Sequence, residues 1–320
     1  MITIMTPTYN RAYILPKLYD SLCNQTNKDF EWIIIDDGSN DNTGELIKEW
    51  EDNNKFEIKY RKRENGGKHR AINDAVKIAV NEWFLIVDSD DFLTDRAVEL
   101  IHEWVKTIEK DKSFAGVSGL KGYITTDNMI GEYPLEEQYE KYIDATNLQR
   151  KKYHLQGDKA EIYRTDILKK YPFPEFEGEN FLNLGVIWDK IAYNEYKLRW
   201  FNEIIYKCEY LEDGLTKSGR GKNIINFEGF TNYTLDKIQM YDGYARRAAI
   251  KYYFDIAKQK GLRFSDAKNR IGVSLFQVCV AFATQKIGNA LYIFKKDGIR
   301  GVYLKIIGKY ANNEAQHATH

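Results

Sequence analysis

Three short apolar segments within the first 95 residues each end in a polar loop and give way to a helical pattern, and this alternation constrains the fold most. The first, Ile2-Thr3-Ile4-Met5, runs into Thr6-Pro7-Thr8-Tyr9-Asn10 and then a helix from about Ile14 to Cys23. The second, Glu31 to Ile35, ends in Asp36-Asp37-Gly38-Ser39, and the third, Trp83 to Val87, ends in Asp88-Ser89-Asp90-Asp91. Strands alternating with helices predict βαβ units and a parallel sheet, whose ligands bind outside the carboxyl ends of the strands. The loops at 6–10, 36–39 and 88–91 are therefore expected to face one crevice. No G-x-G-x-x-G follows the first strand and no G-x-x-x-x-G-K-[ST] occurs, so dinucleotide and P-loop sites lose their main support.

The tetrad Asp88-Ser89-Asp90-Asp91 carries three carboxylates at one strand end. Like charges that close are costly to desolvate, so a cation or a solvated turn must compensate. Asp90 and Asp91 offer hard oxygen ligands suited to Mg²⁺ or Mn²⁺, ions that usually rest on one or two protein carboxylates plus ligand phosphates. The alternative is a capped turn, with Asp91 or Thr94 starting the next helix. A second candidate is Arg61-Lys62-Arg63-Glu64-Asn65-Gly66-Gly67-Lys68-His69-Arg70, which puts five Lys and Arg around a Gly-Gly turn. Glycines such as Gly67 let backbone approach phosphate, and a cation neutralises it. Arg61 to Arg63 read as a solvated basic loop. Lys68 and Arg70 open a helix with Ile72, Ala75, Val76 and Ala79 on one face, and read as functional.

Taken together, Pro7-Thr8-Tyr9-Asn10, Ile35-Asp36-Asp37-Gly38-Ser39, Asn65-Gly66-Gly67-Lys68 and Asp88-Ser89-Asp90-Asp91 resemble family-2 glycosyltransferases with the GT-A fold. The resemblance covers about the first 95 residues closely and continues more loosely to about residue 215. It implies an inverting transferase that uses a nucleotide-activated sugar, usually a UDP-sugar, and Mn²⁺ or Mg²⁺. It further implies that Pro7, Thr8, Tyr9 and Asn10 shape the nucleotide pocket and that Asp37 takes the uracil ring. Lys68 or Arg70 then lies near the base or phosphates, Asp88 and Ser89 face the ribose or sugar, and Asp90, with Asp91 beside it, holds the metal. Physical chemistry agrees: Tyr9 can stack on a base, and Asp37 can accept from the uracil N–H, a donor cytosine lacks there.

An inverting transferase also needs a carboxylate to take the acceptor's proton. The segment Glu175-Phe176-Glu177-Gly178-Glu179-Asn180 precedes an amphipathic helix around Val186 to Tyr193. Relatives often show Glu-Asp here with the Asp as base, whereas this chain has Glu179-Asn180, and an amide cannot take a proton. Glu179 is the expected base, with Glu177 and then Glu175 as substitutes; the competing reading is that Glu177 and Glu179 only cap the next helix. Residues 208–222, with Gly214, Gly219, Gly221, Lys217, Arg220 and Lys222, read as a closing loop.

The formal net charge of zero over 320 residues conceals a division. Residues 245–310 carry 14 Lys and Arg against Asp255, Asp266 and Asp297, and are rich in aromatic and aliphatic residues in a helical pattern. Three readings follow: a helical domain packed on the catalytic one, a homo-oligomer interface, or a surface for anionic lipid. Nucleic acid is not expected, because the cations are spread without a recognition motif. Cys23, Cys208 and Cys279 have no metal spacing and suit a reducing compartment. With no apolar stretch of about 20 residues, the expected location is cytoplasmic, peripheral at the inner face of the plasma membrane.

The expected organisation is thus an α/β GT-A domain over 1–220, its nucleotide-sugar half at about 1–95 and its acceptor half at about 96–220, followed by a basic helical region over 221–320. The expected partners are a UDP-sugar donor and a glycan or lipid-linked glycan acceptor. Two alternatives are a nucleotidyltransferase of similar fold, disfavoured because Thr6 to Asn10 is no Gly-rich phosphate loop, and a non-catalytic sugar-nucleotide or glycan-binding module, favoured only by Asn180.

Overall fold

The computed structural model describes residues 1–124, 126, 128–134, 141–208 and 221–284. Its centre is a mixed sheet of nine strands. Strands β1 (Ile2–Thr8), β2 (Phe30–Asp36), β3 (Glu57–Lys62) and β4 (Trp83–Ile86) are all parallel, in the spatial order β3-β2-β1-β4. Helices α1 (Leu15–Cys23), α2 (Thr43–Asn53) and α3 (Lys68–Ile78) make the crossovers. The parallel half expected from the sequence is therefore present. β1 and β2 read as nearly continuous apolar runs because both faces are covered, and every residue of β2 is buried.

β3 was missed because its sequence, Glu57-Ile58-Lys59-Tyr60-Arg61-Lys62, is mostly charged. It is the sheet edge, where charged side chains discourage pairing with another chain. This also corrects part of the basic-loop reading, since Arg61 and Lys62 are strand residues.

Beyond β4 the sheet changes direction. β8 (Lys159–Arg164) inserts antiparallel between β4 and β6 (Phe114–Tyr123), so β4 and β6 point the same way. β9 (Lys197–Cys208) runs parallel to β6 and carries the short strands β5 (Phe92–Leu93) and β7 (Tyr142–Ala145) antiparallel. Helices α4 (Ala97–Lys106), α5 (Thr165–Lys170) and α6 (Gly185–Tyr193) complete this half. The carboxyl ends of β1, β2, β4, β6 and β9 thus share one edge of the sheet.

Under the parallel half, Tyr19 stacks on Trp50 at 4.3 Å between centroids, with Trp32, Phe30 and Phe56 around them. Under the other half, Trp104 stacks on Phe201 at 4.5 Å. Such pairs contribute about 0.5–1.5 kcal/mol each beyond their buried area. Both clusters back the strands whose ends form the crevice, so the crevice rests on rigid ground.

The chain divides into two compact units, Met1–Phe230 and Thr231–His320. The first also contains α7 (Gly221–Ile225) and the start of α8 (Phe227–Met240). In the second, the rest of α8, α9 (Gly243–Gln259), α10 (Phe264–Arg270) and the helical residues 275–284 follow one another. Ile250, Tyr253, Phe254, Ile256, Ala257, Ile271, Val273 and Val278 are buried, while Leu275 and Phe276 remain 59% and 76% exposed. Among the described residues no helix is long and apolar enough to cross a membrane. The expected closing loop falls largely at 209–220, and part of the expected lipid surface at 285–310; both lie outside the described residues.

Candidate active site

The crevice forms where the loops after β1, β2 and β4 meet. Asp37 N donates to Thr8 O at 2.8 Å, Asn10 N to Ser39 Oγ at 2.8 Å, and Asn40 N to Asn10 Oδ1 at 2.8 Å, so the first two loops are stitched together. Asn10 adopts a left-handed backbone at φ 52, which asparagine tolerates better than most residues. Pro7 and Thr8 belong to β1, the Thr8 hydroxyl is buried without a hydrogen bond, and Tyr9 projects with 46% of its surface exposed.

Asp36 and Asp37 divide their work. Asp36 is fully buried and accepts from Ser39 N and Tyr60 OH, both at 2.7 Å. Asp37 reaches across to the Gly-Gly turn: its carboxylate accepts from Arg63 Nη1 at 2.9 Å, Gly66 N at 3.0 Å and Gly67 N at 2.7 Å. An ionised carboxylate has about four acceptor positions, so one remains. Arg63 is no solvated cation: it pairs with both Asp37 and Asp74 and is 20% exposed. Its partners are 26 and 11 residues away in sequence, which is why a local reading missed it.

At the end of β4 the three acids occupy different environments. Asp88 pairs with Lys68 Nζ at 2.5 Å. Burial alone would raise its pKa, but the charges of Lys68 and Lys121 outweigh this and hold it below the ordinary value. Ser89 is buried beside it. Asp90 is half-buried and accepts no hydrogen bond from the described side chains; burial, then the Asp88 charge, raise its pKa. Asp91 is 6% exposed and accepts from Tyr206 OH at 2.8 Å, and burial followed by the Asp88 charge pushes it up to about 7. The same hydroxyl receives Asp88 N at 3.0 Å. Asp91, expected beside Asp90 at the metal, is held by Tyr206 at the floor of the tetrad. Tyr206 carries no local sequence signal, and only the β5–β9–β6 pairing brings it under the tetrad.

Helix α3 grips the segment before α6. Asn73 exchanges hydrogen bonds with Phe173, Nδ2 donating to its carbonyl and Oδ1 accepting its N–H, each at 2.9 Å, and also donates to Glu175 Oε1 at 2.8 Å. Arg70 donates to Phe176 O at 2.5 Å and Glu179 O at 3.5 Å, with Glu175 3.8 Å away. The guanidinium of Arg70, expected near the base or phosphates, fastens the 175–179 turn. His69 is buried on the same helix, and burial, then the Arg70 charge, lower it to about 4, so it is neutral at pH 7.

Gly67 is where this turn meets the Gly-Gly loop. Its φ is +95, and a Cβ there would lie 1.8 Å from Asn180 O. Gly67→Ala is expected to destabilise the fold by about 1–3 kcal/mol through overpacking and the positive φ. An unchanged midpoint in chemical denaturation would contradict the close approach.

Glu179 is placed differently from the expectation. Its Oε1 accepts from Glu228 N and its Oε2 from Gly229 N, both at 2.7 Å, at the first turn of α8. Asn226 Oδ1 meanwhile accepts from Asn180 N at 2.9 Å and Phe181 N at 3.0 Å. A carboxylate at a helix N-terminus satisfies orphan N–H groups and the dipole, so Glu179 caps a helix, though not the next one. Glu177, on the same turn, is exposed and accepts no hydrogen bond from the described residues.

The described residues hold no cluster of three or more His, Cys, Asp or Glu able to ligate a metal unaided. An ion that keeps water and ligand phosphates as partners needs only one or two protein carboxylates. Asp90, a hard donor that takes a hydrogen bond from its own backbone N–H and from no described side chain, fits such an ion.

A mixed sheet with an acidic strand end facing a cationic Gly-Gly loop defines the GT-A class, and the solved structures agree. S. aureus TarS 1–349 in complex with UDP-GlcNAc matches with a TM-score of 0.58 at 20% identity, covering 81% of this chain and 72% of that one. The mannosyltransferase PcManGT of Pyrobaculum calidifontis, in complex with GDP-Man and Mn²⁺, matches with a TM-score of 0.51 at 17% identity, covering 95% and 84%. The model of glycosyl transferase family 2 matches residues 3–171, and the chain belongs to that family. A curated relative, the poly(ribitol-phosphate) beta-glucosyltransferase of Bacillus spizizenii, is 32% identical over 136 residues, 41% of this chain. The match spans only 21% of that relative's length.

Proposed function

We propose that the protein is a metal-dependent, inverting glycosyltransferase that moves a hexosyl or N-acetylhexosaminyl group from a UDP-sugar to a hydroxyl acceptor in bacterial surface-glycan synthesis. The observation that carries this reading is the division of labour at the end of β4. Asp88 is neutralised by Lys68, Asp91 is committed to Tyr206, and Asp90 alone is left for an external partner. The TarS complex with UDP-GlcNAc, the Mn²⁺ in PcManGT and the poly(ribitol-phosphate) specificity of the Bacillus relative support donor, metal and acceptor class in turn.

A divalent ion bound at Asp90 supplies charge stabilisation for the departing diphosphate. Tyr9 stacks on the uracil, and the remaining acceptor position of Asp37 takes the uracil N–H. Lys68, fixed by Asp88, offers its other donors to the phosphates. The acceptor hydroxyl attacks the anomeric carbon opposite the diphosphate; the new C–O bond forms as the old one breaks, inverting the centre. The proton goes to a carboxylate of the 175–179 turn, and Glu177 is the one there with both oxygens uncommitted. The cations of α9 and α10, together with exposed Leu275 and Phe276, are assigned to an anionic membrane surface that keeps the enzyme peripheral, near a lipid-linked acceptor.

Incubation with a panel of UDP-sugars is expected to release UDP from one of them in the presence of Mn²⁺, and release is expected to stop with EDTA. Calorimetry is expected to show UDP bound at least about tenfold more tightly than CDP, the worth of one hydrogen bond to a charged group. Equal affinities for UDP and CDP would remove the role of Asp37, and no UDP release from any donor would overturn the enzymatic reading.

A further inference from the structure

Beside the acidic tetrad, toward β6 and β8, lie two charged groups that the preceding chemistry does not use. Lys121 is on β6, and its ammonium stands 3.9 Å from the centroid of the Tyr206 ring, the tyrosine that holds Asp91 and the Asp88 backbone. Among the described residues this ammonium has no hydrogen bond and no ion pair within contact distance. Burial works against its charge, yet Asp88, Asp91 and Glu161 together keep it protonated. The side chain of Glu161, on β8, is 17% exposed, and among the described residues its ion-pair partner is Arg150 at 3.6 Å. Apart from its own backbone N–H, no described group donates a hydrogen bond to its carboxylate, so acceptor positions remain.

Arg150 differs from both. Its guanidinium donates to Leu155 O at 2.9 Å, Asn147 Oδ1 at 3.3 Å and Gly157 O, and lies over Trp200 at 5.3 Å. It is fixed by the protein and orients Glu161 without being available itself. What remains is a cation with three N–H donors and a carboxylate with acceptor positions to spare, both partly withdrawn from water at the crevice end of the sheet. Leaving such groups unsatisfied is expensive. Water or a ligand must supply both a donor and an acceptor, and a sugar hydroxyl does each through one oxygen.

We propose that Lys121 and Glu161 form the subsite for the ring hydroxyls of the donor's transferred sugar. The inference rests on the proposed UDP-sugar reading and adds the residues that recognise the sugar itself. The donor is favoured over the acceptor because Lys121 shares the field of Asp88 and Asp91, which flank Asp90, the carboxylate assigned to the diphosphate's metal ion, two residues before and one after. The sugar is joined directly to that diphosphate. Lys121 donates to one hydroxyl oxygen, and Glu161 accepts from that hydroxyl or its neighbour.

The test compares dissociation constants for UDP and for UDP-glucose, UDP-galactose, UDP-GlcNAc and UDP-GalNAc, with Mn²⁺, in wild type, Glu161→Gln and Lys121→Met. For the sugar the wild type prefers, each variant is expected to weaken UDP-sugar binding about tenfold or more relative to UDP. The ratio of the two constants is the readout, because a purely electrostatic role for Lys121 moves both alike and leaves the ratio unchanged. Glu161→Gln keeps shape and is the control should Lys121→Met fail to fold. Normal UDP-sugar binding with an unmoved ratio in Glu161→Gln overturns the subsite while leaving the transferase reading intact. A change confined to the acceptor's KM likewise overturns it. Wild type that binds UDP but none of the UDP-sugars overturns both.

Discussion

Asp90→Asn is expected to reduce transfer by about a thousandfold or more, the equivalent of several kcal/mol of lost metal charge stabilisation. The substitution is nearly isosteric and breaks no hydrogen bond with a described side chain, so the fold is expected to survive with an unchanged melting midpoint. Asp91→Asn gives the contrast. Its carboxylate is buried against Tyr206 OH, and an amide oxygen can still accept that bond. Its loss is expected to affect stability and floor geometry more than metal affinity. Measuring Mn²⁺ dependence of UDP binding for both variants separates the roles. Asp90→Asn must lose the dependence and Asp91→Asn must keep it; the reverse outcome would transfer the metal to Asp91, and full activity of Asp90→Asn in limiting Mn²⁺ would remove the role from Asp90.

The parts of this site legible in the sequence are those in which one strand presents its own loop. Thr6 to Asn10, Asp36 to Ser39 and Asp88 to Asp91 each follow an apolar run directly, so placing the run places the loop. Lys68 was legible for the same reason, being the first residue of an amphipathic helix after two glycines. What could not be read depends on pairings between distant segments. Tyr206 reaches Asp91 from 115 residues away, and Arg70 reaches Phe176 from 106. β8 carries Lys159, Glu161 and Arg164 among its six residues, and only its antiparallel insertion between β4 and β6 aligns Glu161 with the crevice. The charged edge strand β3 failed for another reason: exposed on its rim, it lacks the apolar signature that marks its neighbours.

The base is where sequence and structure differ most. The family resemblance points to position 180, where this chain has an amide, and makes the adjacent Glu179 the natural substitute. Its commitment is fixed by residues some fifty positions later, the N–H groups of Glu228 and Gly229. A carboxylate whose two oxygens are both held by backbone donors is less available to a hydroxyl of an acceptor. Glu177, two residues earlier on the same turn, carries no such bonds and faces solvent. Glu177→Gln is therefore expected to lower single-turnover transfer by about 10²–10⁴, the usual contribution of a positioned base, with UDP-sugar affinity nearly unchanged. Glu179→Gln keeps one acceptor oxygen at the cap and is expected to cost about 1 kcal/mol of stability or less, with a mild effect on rate. Both variants should be compared with wild type at equal donor saturation and with melting midpoints recorded. A rate loss at Glu179 without a stability loss would restore the role to that residue, and a Glu177→Gln protein as fast as wild type would exclude Glu177.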